Sequence, residues 1–173
     1  MSYQYQISSL VNPSFTAIRN IAIREVMNLP ASDREVVRLQ LARGTAILET
    51  HEQMCHYLYS YGNMHQAKLL DAFKQLPLNI LNSEIEVIDW GCGQGIGTLV
   101  LLDHIRQREI SSRVKRVSLI EPSVKSLERA KLHLDLYTKG EVEINTISEF
   151  FEAVDTSVIK SNNQRIVIHI FSN

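Results

Sequence analysis

With 173 residues, 45% of them apolar, the chain can bury one hydrophobic core of ordinary size and still carry a helical extension. The formal net charge of -1, from 18 basic and 19 acidic residues, indicates no overall attraction to nucleic acid or to an anionic membrane. The two cysteines, Cys55 and Cys92, lack zinc-site or disulfide spacing, and no stretch is apolar enough to span a bilayer. We therefore expect a soluble protein of a reducing, cytoplasmic compartment, without a metal.

The first part of the chain repeats its apolar residues at helical spacing. Ser32 and Glu35 have the spacing of a capping box, which predicts a long helix that continues until Tyr61-Gly62-Asn63 interrupts it. Another helix follows, and Pro77 ends it because proline disfavours helical geometry in the preceding residue. We expect residues 1–82 to form a helical region, a candidate lid or cap on the substrate side.

Several histidines in this region raise the question of a metal. His51 and Cys55 lie one helical turn apart, but the spacing from His51 to His56 points the two imidazoles apart, and no acidic ligand completes a set. An amphipathic helix with surface histidines is the favoured interpretation. Tyr57, Tyr59 and Tyr61, followed by His65, lie just before the second part of the chain and could overhang its binding edge, although core packing is their favoured role. Tyr61 and His65 are the candidate substrate contacts among them.

From residue 83 onward, short β-branched runs alternate with helical ones, which predicts an α/β unit with a parallel sheet. Glycine-rich or proline-containing turns separate the runs. We expect strands at 86–90, 116–120, 141–147 and 165–170, and helices that begin near Ile96, Ser123 and Ser148.

The first predicted strand leads into a loop with glycine at every second position, Asp89-Trp90-Gly91-Cys92-Gly93-Gln94-Gly95. Glycine lacks a Cβ and accepts positive φ, so a ligand can approach the backbone beside the free amides of the next helix. The dinucleotide fingerprint fails because Ile96 or Thr98 stands where it needs its last glycine, and a P-loop fails because no lysine precedes the helix. The pattern that remains is an acid, Asp89, two residues before the first of three alternating glycines, Gly91, Gly93 and Gly95.

This pattern resembles the first motif of the class I S-adenosylmethionine-dependent methyltransferases. The resemblance extends to Glu121, at the end of the second predicted strand, where that family has a carboxylate that accepts hydrogen bonds from both ribose hydroxyls. It spans residues 84–173 and implies a Rossmann-like domain over 83–173, incomplete at its C-terminus, with strand order 3-2-1-4. The implied cofactor-binding residues are Asp89, Gly91, Cys92, Gly93, Gly95, Glu121, Pro122, Ile147 and Ser148, with the last two beside the adenine.

In this family, many residues that contact the acceptor begin at the end of the fourth strand, so the resemblance carries over no catalytic residue. His169, within that strand, is a weak candidate substrate contact, and packing or hydrogen bonding within the fold is its favoured interpretation. The strand is very apolar and would form an edge that pairs with other chains unless something covers it. A longer parent protein is the favoured explanation, and a homodimer through this edge or a shield of N-terminal helices are the others.

The resemblance implies methyl transfer from S-adenosylmethionine by direct displacement, with S-adenosylhomocysteine as the product. The acceptor stays open, because methyltransferases of proteins, nucleic acids and small molecules share this half of the fold. Two alternatives remain. One is a non-catalytic module that binds S-adenosylmethionine or S-adenosylhomocysteine, and the other is a scaffold that has kept the fold and lost the ligand.

Overall fold

The structure is a computed structural model that describes residues 2–81, 83–108, 114–155, 157, 159 and 164–172. Helices precede the sheet along the chain, and helices and strands then alternate. In chain order the elements are α1 (Tyr3–Ser8), α2 (Phe15–Asn28), α3 (Ala31–Gln40), α4 (His51–Lys74), α5 (Leu78–Leu81), β1 (Ile85–Trp90), α6 (Ile96–Gln107), β2 (Val114–Ile120), α7 (Val124–Thr138), β3 (Glu143–Ile147) and β4 (Ile166–Phe171). Short 3-10 turns cover Ala42–Gly44 and Phe151–Ala153.

The four strands form one parallel sheet in the order β3-β2-β1-β4. Every predicted strand is present, with its ends within two residues of the expected positions. The α/β Rossmann-like class, with a helical region before the sheet, is therefore confirmed. The predicted division after residue 82 falls at a position outside the described ranges.

β1 is a central strand, and its side chains are buried on both faces except at Trp90. Its buried Glu86 lies between two arginines, with one carboxylate oxygen 2.9 Å from a nitrogen of Arg165 and 3.6 Å from a nitrogen of Arg116. A buried carboxylate is costly without such partners. These arginines therefore explain how an acid fits at the centre of the sheet.

The N-terminal helices and the sheet share one buried core. Phe15 on α2 and Leu58 on α4 belong to the same hydrophobic cluster as Leu99 on α6 and Val117 on β2. α4 packs against both α2 and α6, so it connects the helical region to the first helix of the α/β unit. This packing brings α4 close to the carboxyl end of the sheet, where the glycine loop lies.

The predicted capping box at Ser32 and the long helix after it are wrong. The Ser32 hydroxyl donates to the Asp33 carboxylate (2.9 Å), and no side chain caps the start of α3. That helix ends at Gln40, because Ala42 and Arg43 adopt left-handed φ values of 45° and 60°. A right-handed helix cannot continue through such residues.

The capping box lies instead at Thr50 and Gln53, at the start of α4. The Thr50 hydroxyl accepts from the Gln53 amide (3.1 Å), and the Gln53 side chain accepts from the Thr50 amide (3.1 Å). The predicted break at Gly62 is also wrong, since α4 continues through it. A Cβ at Gly62 would lie 3.1 Å from Arg19 Cδ and 3.3 Å from Phe15 Cζ, so this glycine allows α2 and α4 to approach closely.

No helix within the described ranges is long and apolar enough to cross a membrane.

The Thr50→Ala variant should lower the free energy of unfolding by about 1 kcal/mol, because it leaves the first turn of α4 without its cap. Ser32→Ala is the matched control and should change stability by only a few tenths of a kcal/mol, as expected for surface substitutions. Chemical denaturation of both variants measures the difference. Equal losses would contradict the assignment of the cap to Thr50.

Candidate functional site

The loop after β1 turns sharply because its three alternating glycines all have left-handed backbones. Gly91, Gly93 and Gly95 have φ values of 61°, 52° and 80°. Any other L-residue would cost about 1 kcal/mol or more at such positions. A Cβ at Gly95 would also lie 3.3 Å from Ala130 Cβ on α7, so this position needs glycine for space as well. α6 begins directly afterwards at Ile96, as predicted.

Asp89 holds the first turn of α6 against the end of β1. Its side chain is fully buried, and one carboxylate oxygen accepts from the Thr98 amide (3.0 Å) and the Thr98 hydroxyl (2.8 Å). The other oxygen has no hydrogen-bond partner among the described residues. Burial raises the pKa of Asp89 to about 6.

Gly97 makes room for this carboxylate. A Cβ at Gly97 would lie 3.1 Å and 3.2 Å from the two Asp89 oxygens and 2.7 Å from Ile170 Cγ2 on β4. β1, α6 and β4 therefore meet at a point where only glycine fits. Asp89 itself does not line the adjoining cavity, so its contribution there comes through the shape of the loop.

Glu121 follows directly after β2 and connects that strand end to the glycine loop. One of its carboxylate oxygens accepts from the Gly93 amide (3.0 Å), and the other accepts from the Ser123 amide (3.1 Å). The residue is 9% exposed, and burial raises its pKa, although the two amide hydrogen bonds oppose the shift. The two strand ends that the sequence analysis paired are therefore in direct contact.

A cavity of about 250 Å³ opens at this point. Four of the predicted cofactor-binding residues line it, namely Gly91, Gly93, Glu121 and Pro122. The other lining residues come from the turn before α4, from α4 and α7, from the end of β2 and from the segment after β3: Gly44, Ala46, Ile47, Leu48, Tyr57, Ile120, Ser126, Glu149, Phe150, Phe151 and Glu152. Within this described lining there are three carboxylates and no lysine, arginine or histidine.

Three more of the predicted residues lie outside the lining of this cavity. Cys92 is buried, its thiol donates to the Gly93 carbonyl (3.6 Å), and burial raises its pKa. The Ile147 carbonyl accepts from the Glu121 amide (3.1 Å), and the Ser148 hydroxyl donates to the Pro122 carbonyl (3.4 Å). All three brace the residues that form the wall.

The wall next to β3 is formed by Glu149 and Phe150, the residues directly after the predicted pair. Neither residue was predicted as a site residue from the sequence. An acid and an aromatic residue just after a strand end could have indicated them.

The structure brings Tyr61 and His65 to the site by way of a third residue, Tyr57. Tyr57 lines the cavity, its hydroxyl lies 3.2 Å from Nε2 of His65, and its ring packs against Tyr61 with centroids 5.1 Å apart. His65 and His56 are buried, so the prediction of surface histidines is wrong for both. The signal for Tyr57 was its helical spacing from Tyr61 and His65, which places all three on one face of α4.

His169 is exposed on β4 and lies outside the lining of this cavity. Its Nδ1 accepts from the indole nitrogen of Trp90 (3.1 Å), so it is hydrogen-bonded within the fold, as its favoured interpretation predicted. The rings of Trp90, His169 and Phe171 are nearly parallel, and Phe151 meets Trp90 edge-on at 5.2 Å. These aromatic rings adjoin the cavity through Phe151.

His51 and Cys55 lie close together, and the guanidinium of Arg129 contacts both of them. Nη2 of Arg129 is 2.8 Å from His51 Nδ1, and the guanidinium also lies 3.6 Å from Cys55 Sγ and 4.1 Å from the centre of the Tyr3 ring. Among the described residues no group of three or more potential ligands could hold a metal ion. A larger cavity of about 710 Å³ beside this cluster contains no residue of the glycine loop.

Nearby, a buried histidine supports the glycine loop from behind. His133 on α7 is fully buried, with Nδ1 3.1 Å from the Gln94 carbonyl oxygen and Nε2 2.9 Å from the Tyr3 hydroxyl. The neutral ring can donate from Nδ1 to the carbonyl and accept from the tyrosine at Nε2. Burial lowers its pKa to about 4, so this neutral form persists near pH 7.

No protein-family model matches the chain. No curated protein matches it either. Among solved structures, one neighbour is the plantazolicin methyltransferase BpumL in complex with SAH, with 16% sequence identity and a TM-score of 0.39. The match covers 79% of this chain and 46% of that chain, so the chain spans less than half of the neighbour's length. A likeness of this size carries no argument about what the chain binds.

The raised pKa of Asp89 gives a prediction about stability and pH. Because its folded pKa of about 6 lies above the unfolded value of 3.8, its contribution to stability is fully present below that unfolded value and is lost as pH rises through about 6. Denaturation at about pH 5 and about pH 7.5 should therefore show a contribution about 1 kcal/mol larger at the lower pH. Asp89→Asn should remove this difference, and the same pH dependence in both proteins would contradict it.

Proposed function

We propose that the chain binds S-adenosylmethionine in the 250 Å³ cavity and forms the cofactor-binding part of a class I methyltransferase, with S-adenosylhomocysteine as the product. One observation carries the proposal. The buried carboxylate of Glu121 at the end of β2 contacts a left-handed glycine loop at the end of β1, in a cavity whose described lining has acids and no basic side chain.

The charge of the cavity supports this ligand over a dinucleotide or a nucleoside triphosphate. S-adenosylmethionine carries a sulfonium and an ammonium group against a single carboxylate, so its net charge is positive. Glu121, Glu149 and Glu152 line the cavity and attract such a ligand, whereas phosphates beside them would be repelled. Glu149 and Glu152 are exposed, so solvent screens their contribution and Glu121 dominates.

Glu121 has the capacity to bind a ribose diol in addition to its present partners. Each carboxylate oxygen accepts one backbone amide, which leaves lone pairs on both oxygens for two hydroxyl donors. Hydrogen bonds from the ligand also favour the charged form, so they offset part of the desolvation that raises the pKa of this group. The hydrogen bonds from the two backbone amides hold the carboxylate in position before the ligand binds.

The remaining walls suit a planar base. Ile47, Pro122 and Phe150 come from three separate segments of the lining and offer apolar surface, as adenine requires. Glu149, next to Phe150, is a candidate acceptor for the exocyclic amine of that base. This role is proposed in addition to the expected adenine contacts of Ile147 and Ser148, which hydrogen-bond Glu121 and Pro122.

Isothermal titration calorimetry tests the proposal. The wild-type protein should bind S-adenosylmethionine, and Glu121→Gln should bind it at least about tenfold more weakly, because hydrogen bonds to a charged group are worth about 1.5–3 kcal/mol. Glu128→Gln is the matched control: it removes an exposed acid of α7 that lies outside this cavity and should leave the affinity unchanged. A titration with NAD⁺ should give no binding heat.

Absence of S-adenosylmethionine binding by the wild-type chain would contradict the proposed function. Equal affinity of the wild type and Glu121→Gln would remove the ribose assignment. Tight binding of NAD⁺ would contradict the charge argument.

A further inference from the structure

A tyrosine and a histidine form a hydrogen-bonded pair at the edge of the proposed cofactor cavity. Tyr57 lines the cavity together with Gly91 and Glu121, and its hydroxyl lies 3.2 Å from Nε2 of His65. The two rings are stacked, with centroids 5.8 Å apart and planes within 18° of each other. Both residues are on the rigid helix α4, whose start has a complete capping box.

The hydrogen bond between the two side chains has two possible directions. A neutral imidazole has a single N-H, so Nε2 of His65 either donates to the Tyr57 oxygen or accepts from the Tyr57 hydroxyl. Only the second arrangement lets His65 take up the tyrosine proton. The backbone of Ser172, directly after β4, favours the protonated form of this imidazole.

Protonation states near neutral pH agree with this arrangement. Burial, and then the nearby charge of Lys68 on α4, lower the pKa of His65, so its ring is neutral and can take up a proton. Burial first, with smaller effects from Tyr61 and Glu121, raises the pKa of Tyr57, so the tyrosine stays a phenol. The phenol oxygen then keeps lone pairs that can accept a hydrogen bond from a second donor.

We propose that Tyr57 is a catalytic residue that accepts a proton from the methyl acceptor, with Nε2 of His65 as the base behind it. The inference rests on the proposed function, and it implies that the acceptor is a nucleophile with a proton on oxygen, nitrogen or sulfur. A base within hydrogen-bond reach of the group that loses its proton is the general arrangement by which proteins activate nucleophiles.

The proton and the electron pairs are accounted for in the step. A lone pair of the acceptor atom forms the bond to the methyl carbon, and the carbon-sulfur bond breaks with its electron pair moving to sulfur. The acceptor's proton passes to the Tyr57 oxygen as the Tyr57 proton passes to Nε2 of His65. The products are the methylated acceptor, S-adenosylhomocysteine and an imidazolium that returns its proton to solvent.

Transfer of a labelled methyl group from S-adenosylmethionine to p-cresol, benzylamine and benzyl mercaptan tests the inference on the full chain. The wild type should accelerate transfer to at least one of these probes over the rate without protein. Tyr57→Phe and His65→Gln should each lower kcat by about 100-fold or more, the range for a lost general base, while calorimetry shows an unchanged affinity for S-adenosylmethionine. The low-pH limb of the wild-type rate profile should vanish in His65→Gln.

Tyr59→Phe is the matched control, because Tyr59 lies on α4, is partly exposed and does not line the cavity. It should retain the wild-type rate. NMR shifts of the imidazole nitrogens in the S-adenosylhomocysteine complex should show His65 protonated at Nδ1 and bare at Nε2. A proton on Nε2 would overturn the inference, since Tyr57 would then donate toward the cavity.

The outcomes separate the two proposals. If the wild type binds S-adenosylmethionine but accelerates transfer to none of the three probes, the inference is overturned and the proposed cofactor site stands. A wild-type rate in Tyr57→Phe overturns the inference as well. If the wild type fails to bind S-adenosylmethionine, the proposed function itself is wrong.

Discussion

The buried carboxylate of Asp89 is the constraint on which the site depends. Its two hydrogen bonds to Thr98 connect the end of β1 to the first turn of α6. The loop between them therefore has few possible conformations. Asp89 can approach α6 this closely only because residue 97 is a glycine. Ile170 of β4 also lies against Gly97. The carboxylate is buried, and one of its oxygens has no hydrogen-bond partner within the described part of the chain, so this geometry costs stability near neutral pH.

A second carboxylate then gives this loop its chemistry. Glu121 reaches from β2 to the Gly93 amide, which places an acceptor beside the bare backbone of the loop. α4, held by its packing against α2 and α6, adds Tyr57 to the cavity lining, with His65 hydrogen-bonded to it. In the proposed function, Glu121 at the end of the sheet binds the cationic nucleoside, and Tyr57 and His65 of the helical region act on a proton-bearing acceptor. Neither set would be positioned without the shared core.

The sequence predicted the sheet and the loop well because both depend on local patterns. Short β-branched runs indicated the strands, and the glycine spacing between Asp89 and Gly95 indicated a turn that requires positive φ. The helical region was predicted less well. Alanine and arginine do not favour left-handed backbones, so Ala42 and Arg43 gave no local signal for the end of α3. In addition, two places in the sequence matched the same capping-box pattern, and only the one at Thr50 forms. Likewise, Glu149 became a site candidate only once distant segments were placed around one cavity.

Amide NMR of the nitrogen-labelled chain, titrated with S-adenosylhomocysteine, tests most directly whether the glycine loop is a nucleoside site. We expect shifts concentrated at Gly91, Gly93, Glu121 and Phe150, with little change at Lys125, which lines the larger cavity beside α1. Shifts concentrated around that larger cavity, or none at the loop at saturating ligand, would contradict it.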